Sequence, residues 1–271
     1  MTADERLALV RVKIERAKQH IRELNAEVKS FFDTHPYVIG TKRNPQTRQL
    51  IYYVTSVRET PITLAAIAGD VLQNLRSALD HLAYQLVLVG TSGVGSAYHV
   101  SFPIADDAAK YKSESIRKVK GMRQDGIDAI NAIKPYKGGN DTLWRLHKLN
   151  NIDKHRFLIT VGSAFRSINL MAHAEQVFRQ VLASDPNFSD FGEVKLPKAF
   201  FKSADRLFPL KAGDELFIDV PDAKVNEKME FSFDVAFGEP QVVEGESLLE
   251  TLQHMADLVD HLVFSFAPLL I

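Results

Sequence analysis

The chain of 271 residues contains no cysteine. That excludes disulfides, thiolate metal ligands and cysteine nucleophiles, and it suits a cytoplasmic protein. Charge of one sign is not in excess: 33 Lys and Arg stand against 34 Asp and Glu, a net charge of −1. A broad electrostatic grip on nucleic acid or an anionic membrane is therefore not expected, although a local basic patch remains compatible with the balance. No apolar run approaches the ~18 residues of a membrane span, and the charged start MTADERLALVRVKIERAKQH does not read as a signal peptide. Glycine-rich phosphate loops, a GxSxG elbow and an HExxH pair are also missing. What is there is an ordinary globular balance, 45% hydrophobic and 25% charged, in a chain long enough to bury a large core.

The periodicity predicts a single α+β domain over residues 1–271. It has a helix-rich stretch over 1–156 with a β-hairpin near 37–57, a β-rich stretch over 157–240, and a C-terminal helix 247–266. Thr2 and Glu5 form a capping box for a long first helix. Its apolar seam runs Leu7, Val10, Ile14, Ala17, Ile21, Leu24, Val28 and Phe31, and His35-Pro36 ends it. YVIG and LIYYVTSV read as strands around TKRNPQTRQ, a loop too long for a tight hairpin. A helix over Pro61–Val89, a Gly/Ser loop over Gly90–Ser101 and two short helices between Ile104 and Pro135 follow. Asn140 or Asp141 caps the helix DTLWRLHKLNNIDKHR, and a strand begins within Phe157–Val161. ELFIDV and MEFSFDVAF alternate as half-buried antiparallel strands, placing Met229, Phe231, Phe233, Val235 and Phe237 on one side. The stretch between Leu170 and Lys211 carries no clear period. Ser247 and Glu250 cap a last helix with a seam at Leu248, Leu252, Met255, Val259, Leu262 and Phe266. Such matching terminal seams suit core packing within one subunit, or a homodimer through the helices.

The segment GDVLQNLRSALDHLAYQL concentrates the polar chemistry. Asp70, Asn74, Ser77 and His81 fall within a ~60° arc of one helix, opposite Leu72, Leu75, Leu79, Leu82 and Leu86. A carboxylate, an amide, a hydroxyl and an imidazole in line can build a site, or can be the wet side of the helix. In WRLHKLNNIDKHR, His147, Asn150, Asn151 and Lys154 share a face, with Asp153, His155 and Arg156 near the helix end. Should this helix face the central one, His81, His147 and His155 would converge with Asp70 or Asp80, a set suited to Zn, Ni or Fe. No fixed ligand spacing assigns a metal, and no cofactor is expected. His254, Asp257 and His261 read as the edge of the last seam, and the run Lys110, Lys112, Arg117, Lys118, Lys120, Arg123 as a solvated basic surface.

Taken as a pair, GDVLQNLRSALDHLAYQL and WRLHKLNNIDKHR resemble a family of uncharacterised bacterial proteins that carry both segments, over roughly residues 61 to 160. The resemblance implies a bacterial cytosolic protein whose two motif helices belong together, and no activity. Arg76 and His81, separated by four residues, resemble the R-x4-6-H motif of HEPN domains, the helical family that includes metal-independent ribonucleases. That resemblance implies RNA as partner and a dimer groove, with His81 as general acid/base, Arg76 on phosphate, and Ser77 and Asp80 as orienters. Arg166 and His173 match the same spacing. Five residues rotate Arg76 and His81 about 140° apart, leaving Arg76 at the edge of the apolar face. The competing reading is a non-catalytic small-ligand or protein-binding module in which Asp70, Asn74, His147, Asn151, Lys154 and His155 form a polar inter-helix network. A metal-dependent enzyme is third.

Overall fold

A computed structural model describes residues 1–94, 100–155, 158–169, 174, 200–202 and 207–271. The fold is α+β. Contacts divide the chain differently from the expected single domain. One compact unit comprises Met1–Ser30, Pro61–Val161 and Glu239–Ile271, and another Phe31–Thr60 and Gly162–Gly238. The division follows from strand pairing. The hairpin near residue 50 finds its third strand near residue 218, so it belongs with the late strands rather than with the helices that flank it in sequence.

The first unit is helical: α1 (Ala3–Asp33), α2 (Ile62–Gly90), α3 (Ala108–Lys118), α4 (Gln124–Ile133), α5 (Asp141–His155) and α6 (Leu248–Ser265), closed by a 3-10 turn at Ala267–Leu270. The expected capping box is formed: Thr2 N donates to Glu5 Oε2 at 2.7 Å and Glu5 N to Thr2 Oγ1 at 3.2 Å. Asn140 caps α5, its Oδ1 accepting from Leu143 N at 3.1 Å, while Asp141 turns back to Gly138 N. Asp107 caps α3 in the same manner through Lys110 N.

The seams of α1 and α6 are spent inside the unit. Val10, Ile14, Ala17 and Leu24 are fully buried, as are Leu248, Leu252 and Val259. Lys18 of α1 binds Asp260 of α6. The apolar face of α2 is equally closed, with Leu72, Leu75, Leu79 and Leu82 all at 0% exposure. Each such leucine contributes about 2 kcal/mol of gross burial, which makes α2 the axis of the unit. Helices α5 and α6 both pack on it. Among the described residues, no helix is long and apolar enough to cross a membrane.

Among the described residues, the second unit holds two three-stranded sheets, ordered β1-β2-β5 and β4-β3-β6. The strands are β1 (Tyr37–Arg43), β2 (Gln49–Val57), β3 (Val161–Asn169), β4 (Phe200–Lys202), β5 (Glu215–Pro221) and β6 (Phe231–Phe237). Strand β1 pairs antiparallel with β2 down to Arg43↔Leu50, so the strands take up both ends of the expected loop. The remaining turn is tight because Asn44 Oδ1 accepts from Gln46 N and Thr47 N. Val54, Phe165, Ile168, Leu210 and Leu216 form the core, with Met229, Phe231 and Phe233 packed against it. His173, Arg156 and Phe157 lie outside the described residues.

Candidate functional site: a charged cluster and cleft along α5

Arg76 is 6% exposed, on the inner side of α2. Its Nη2 donates to Asp80 Oδ1 and to the carbonyl of Phe102, each at 2.7 Å. Asp80 Oδ1 also accepts the amide of Phe102 at 2.9 Å. Together the i,i+4 pair satisfies both backbone groups of Phe102 and anchors the segment that follows α2. An uncompensated buried charge is costly, and this double clamp is what compensates it.

From that anchor the segment 102–106 passes a row of cations. Phe102 O meets Arg76, and Ile104 O lies 3.5 Å from Lys118 Nζ. Asp106 Oδ1 binds Lys148 Nζ at 2.5 Å and accepts from Trp144 Nε1 at 3.3 Å, while its Oδ2 takes Lys110 Nζ at 3.2 Å. The Lys148 contact, with Trp144 and Lys110 beside it, holds the Asp106 carboxyl far below the usual carboxylate range. Burial pulls Lys118 and Arg76 downward; Glu114 and Asp80, respectively, oppose it.

His147 sits inside this cluster. Burial, then the positive charges of Arg76, Lys118 and Lys148, push its pKa down to about 3, so the ring is neutral at physiological pH. Asn151 Nδ2 lies 3.1 Å from His147 Nε2. With Asn151 donating, the ring proton resides on Nδ1, which is buried and has no acceptor among the described residues. Arg76 Nη1 is in the same condition.

The cluster opens on a cleft of about 710 Å³ along α5. Asp106, Trp144, Lys148, Asn151 and His155 form one wall, and the turn Glu239–Val242 contributes another. Lys137 lies over the Trp144 ring, 4.5 Å from its centroid. Glu239 is fixed by the amide of Thr160 at 2.7 Å.

The stripe Asp70, Asn74, Ser77, His81 is not part of this site. Asp70 and His81 are exposed, and Asn74 and Ser77 half-buried. Asn74 Nδ2 bonds the carbonyl of Asp70 on its own helix, and Ser77 Oγ receives Gln73 Nε2 at 3.4 Å. The three histidines are dispersed: His147 lies in the cluster, His155 on the cleft, His81 in solvent. Among the described residues, no group of three His, Asp or Glu could hold a metal ion. The expected convergence is therefore not formed, because its members occupy different sides of α2 and α5. Lys154 is exposed. The two motif helices do meet, at Gly69. A Cβ there would lie 2.6 Å from Asp153 Oδ1, so only glycine lets the α5 carboxylate seat against α2. Burial, together with the charge of Asp70, raises the Asp153 pKa.

Sequence reasoning missed Asp106, Lys118, Lys137, Trp144, Lys148 and Glu239 as site members. Two signals were available: the i,i+4 spacing of Trp144 and Lys148 and of Asp106 and Lys110, and the fact that Trp144 is the chain's one tryptophan. Compared with known proteins, the chain matches no family model, no curated protein and no solved structure.

Proposed function

We propose that this protein is a binding module that takes a small polar ligand in the α5 cleft. The observation that carries the reading is the cleft itself. About 710 Å³ lies beside a tryptophan ring, with Asp106, Lys148, Asn151 and His155 converging on it. A few placed polar groups around an aromatic surface are what small-molecule sites use to orient a ligand. The charge network behind the wall supplies rigidity, since Asp106 is held by three donors at once.

Because Trp144 is the sole tryptophan, its fluorescence reports the cleft directly. Titration of the protein with a panel of amino acids, sugar phosphates and nucleotides is expected to give a saturable emission change with at least one member. Lys148→Ala and Asn151→Ala would weaken it about tenfold, the loss of one charge-assisted bond. A flat response to the whole panel would sink the reading.

Nucleic acid as partner is a second reading, favoured by a different surface. A groove of about 770 Å³ is lined by Arg11, Lys13, Arg16 and Arg22 of α1 and by Asn74 from the polar stripe of α2. His81, exposed on that stripe, keeps a usable imidazole for metal-independent ribonuclease chemistry. Arg76 would have to leave Asp80 and Phe102 to reach a phosphate, so the basic role passes to the α1 arginines. RNA cleavage that survives EDTA and vanishes in His81→Ala supports this reading; absence of both cleavage and retention of labelled RNA removes it.

A further inference from the structure

We infer that the buried donors of α2, α3 and α5 hold an oxyanion, the acidic group of the ligand that occupies the α5 cleft; the inference rests on the binding-module reading. Arg76 is nine-tenths buried, and its Nη1 has no acceptor among the described residues. His147 Nδ1, which carries the ring proton when Asn151 donates to Nε2, is buried and lacks an acceptor among the described residues as well. Lys118 is 18% exposed at its side chain, and its two nearest acceptors are distant, Ile104 O at 3.5 Å and Glu114 Oε2 at 3.7 Å. Three donors on three helices thus share an electrostatic neighbourhood around His147, where Arg76 Nη1 and His147 Nδ1 meet no acceptor among the described residues.

Charge counts in the same direction. Among the described residues, three carboxylates, Asp80, Asp106 and Glu114, are shared by four cations, Arg76, Lys110, Lys118 and Lys148, one more positive than negative charge. Unpaired buried donors are destabilising, the more so when charged, so an acceptor rich in lone pairs is favoured there. A phosphate or carboxylate suits the set better than a neutral hydroxyl. It accepts from a guanidinium, an imidazole N–H and an ammonium at once, and it supplies the missing negative charge. Neutral His147 fits this role as a donor that adds no further charge. Lys148 and Asn151 line the cleft and also neighbour His147, which ties the cleft's ligand to these donors.

The test uses the full chain and three probes at constant ionic strength: inorganic phosphate, glycerol phosphate and acetate. Trp144 emission and thermal midpoint are the readouts. Saturable binding of at least one probe is expected, with the midpoint raised as saturation proceeds. Phosphate alone saturating identifies a free anion as ligand, whereas tighter binding of glycerol phosphate identifies a headgroup on a larger molecule. Lys118→Met should weaken binding tenfold or more, and Lys120→Met, on an exposed neighbour, should leave it unchanged. Arg76→Lys is the obvious variant but risks the Phe102 clamp, so His147→Gln serves as the second, with the same expected loss. Binding that ignores Lys118→Met and His147→Gln overturns the inference, and so does an absence of binding for all three probes. A crystal structure showing only a water at Arg76 Nη1 does the same. If a panel member without an acid group moves Trp144 while the three anions do not, the inference falls and the cleft reading stands.

Discussion

On the inner side of α2, Arg76 is drawn out of solvent and, with Asp80, locked to both backbone groups of Phe102. On its outer side, Asp70 and His81 stand in water, and Asn74 bonds only its own helix. The same helix thus uses polar side chains in two ways. The inner pair closes a chain segment that would otherwise leave a buried amide and carbonyl unsatisfied. The outer stripe leaves its groups available to a partner. By spacing the stripe is the more conspicuous of the two, yet the inner pair carries the structure.

Arg76→Ala offers the largest break in this comparison. It strands Asp80 beside a buried carbonyl and removes the donor from Phe102 O, so a loss of about 3–5 kcal/mol is expected in urea unfolding. Asp80→Asn keeps an acceptor oxygen for Phe102 N and should cost less, about 1–3 kcal/mol. If Arg76→Ala left the midpoint in place, the clamp would not be what holds the 102–106 segment.

Gly69→Ala probes where the two motif helices touch. The new methyl would meet the Asp153 carboxylate at 2.6 Å, so that carboxylate must shift to admit it. Overpacking of this kind costs about 1–3 kcal/mol. The double variant Gly69→Ala with Asp153→Ala should recover most of that loss, a coupling that a thermodynamic cycle measures directly. Additive effects would mean that the contact is incidental.

The interior cluster also predicts a pH dependence. His147 has an ordinary pKa of 6.5 and a folded value of about 3. Between those values the unfolded chain binds the proton and the folded chain does not. Stability is therefore full above 6.5 and declines as pH falls toward 3, at no more than about 1.4 kcal/mol per pH unit. Asp106 adds a second decline. Its folded value is depressed below 3.8, so its contribution is present above that pH and is lost beneath it. His147→Gln should flatten the slope between pH 6 and 4, as read by chemical denaturation across that range, while leaving the steeper acid limb. An unchanged slope would mean that the ring is not buried among the cations.

Much of the fold was legible in the sequence because it is written in short-range terms. The α1 seam repeats every three or four residues, Thr2–Glu5 is a local box, and MEFSFDVAF alternates with the pleat. The site was less legible because it is assembled from separate segments. Asp106 comes from a connection, Lys118 from the last turn of α3, and Glu239–Val242 from a turn far downstream; no period links them to Trp144. Arg76 is the instructive case. Its motif spacing pointed to His81, whereas its physical partner was Asp80, one helical turn away, with a charge to match. The hairpin carries a similar lesson, since nothing near residue 50 announces that its third strand lies near residue 218.

The smallest structural effect is expected at His81. The side chain is exposed, so His81→Ala should move the unfolding midpoint by no more than about 0.5 kcal/mol. It should also leave Trp144 emission and the response to cleft ligands unchanged, because His81 lines neither the cleft nor the cluster. That quietness is what makes the variant discriminating. A loss of stability comparable to Arg76→Ala would place His81 in the core and erase the contrast between the two faces of α2. An intact, fully stable His81→Ala protein that has lost RNA binding or cleavage would instead make the outer face the working one. It would also shift the functional reading from the α5 cleft to the groove between Asn74 and the α1 arginines.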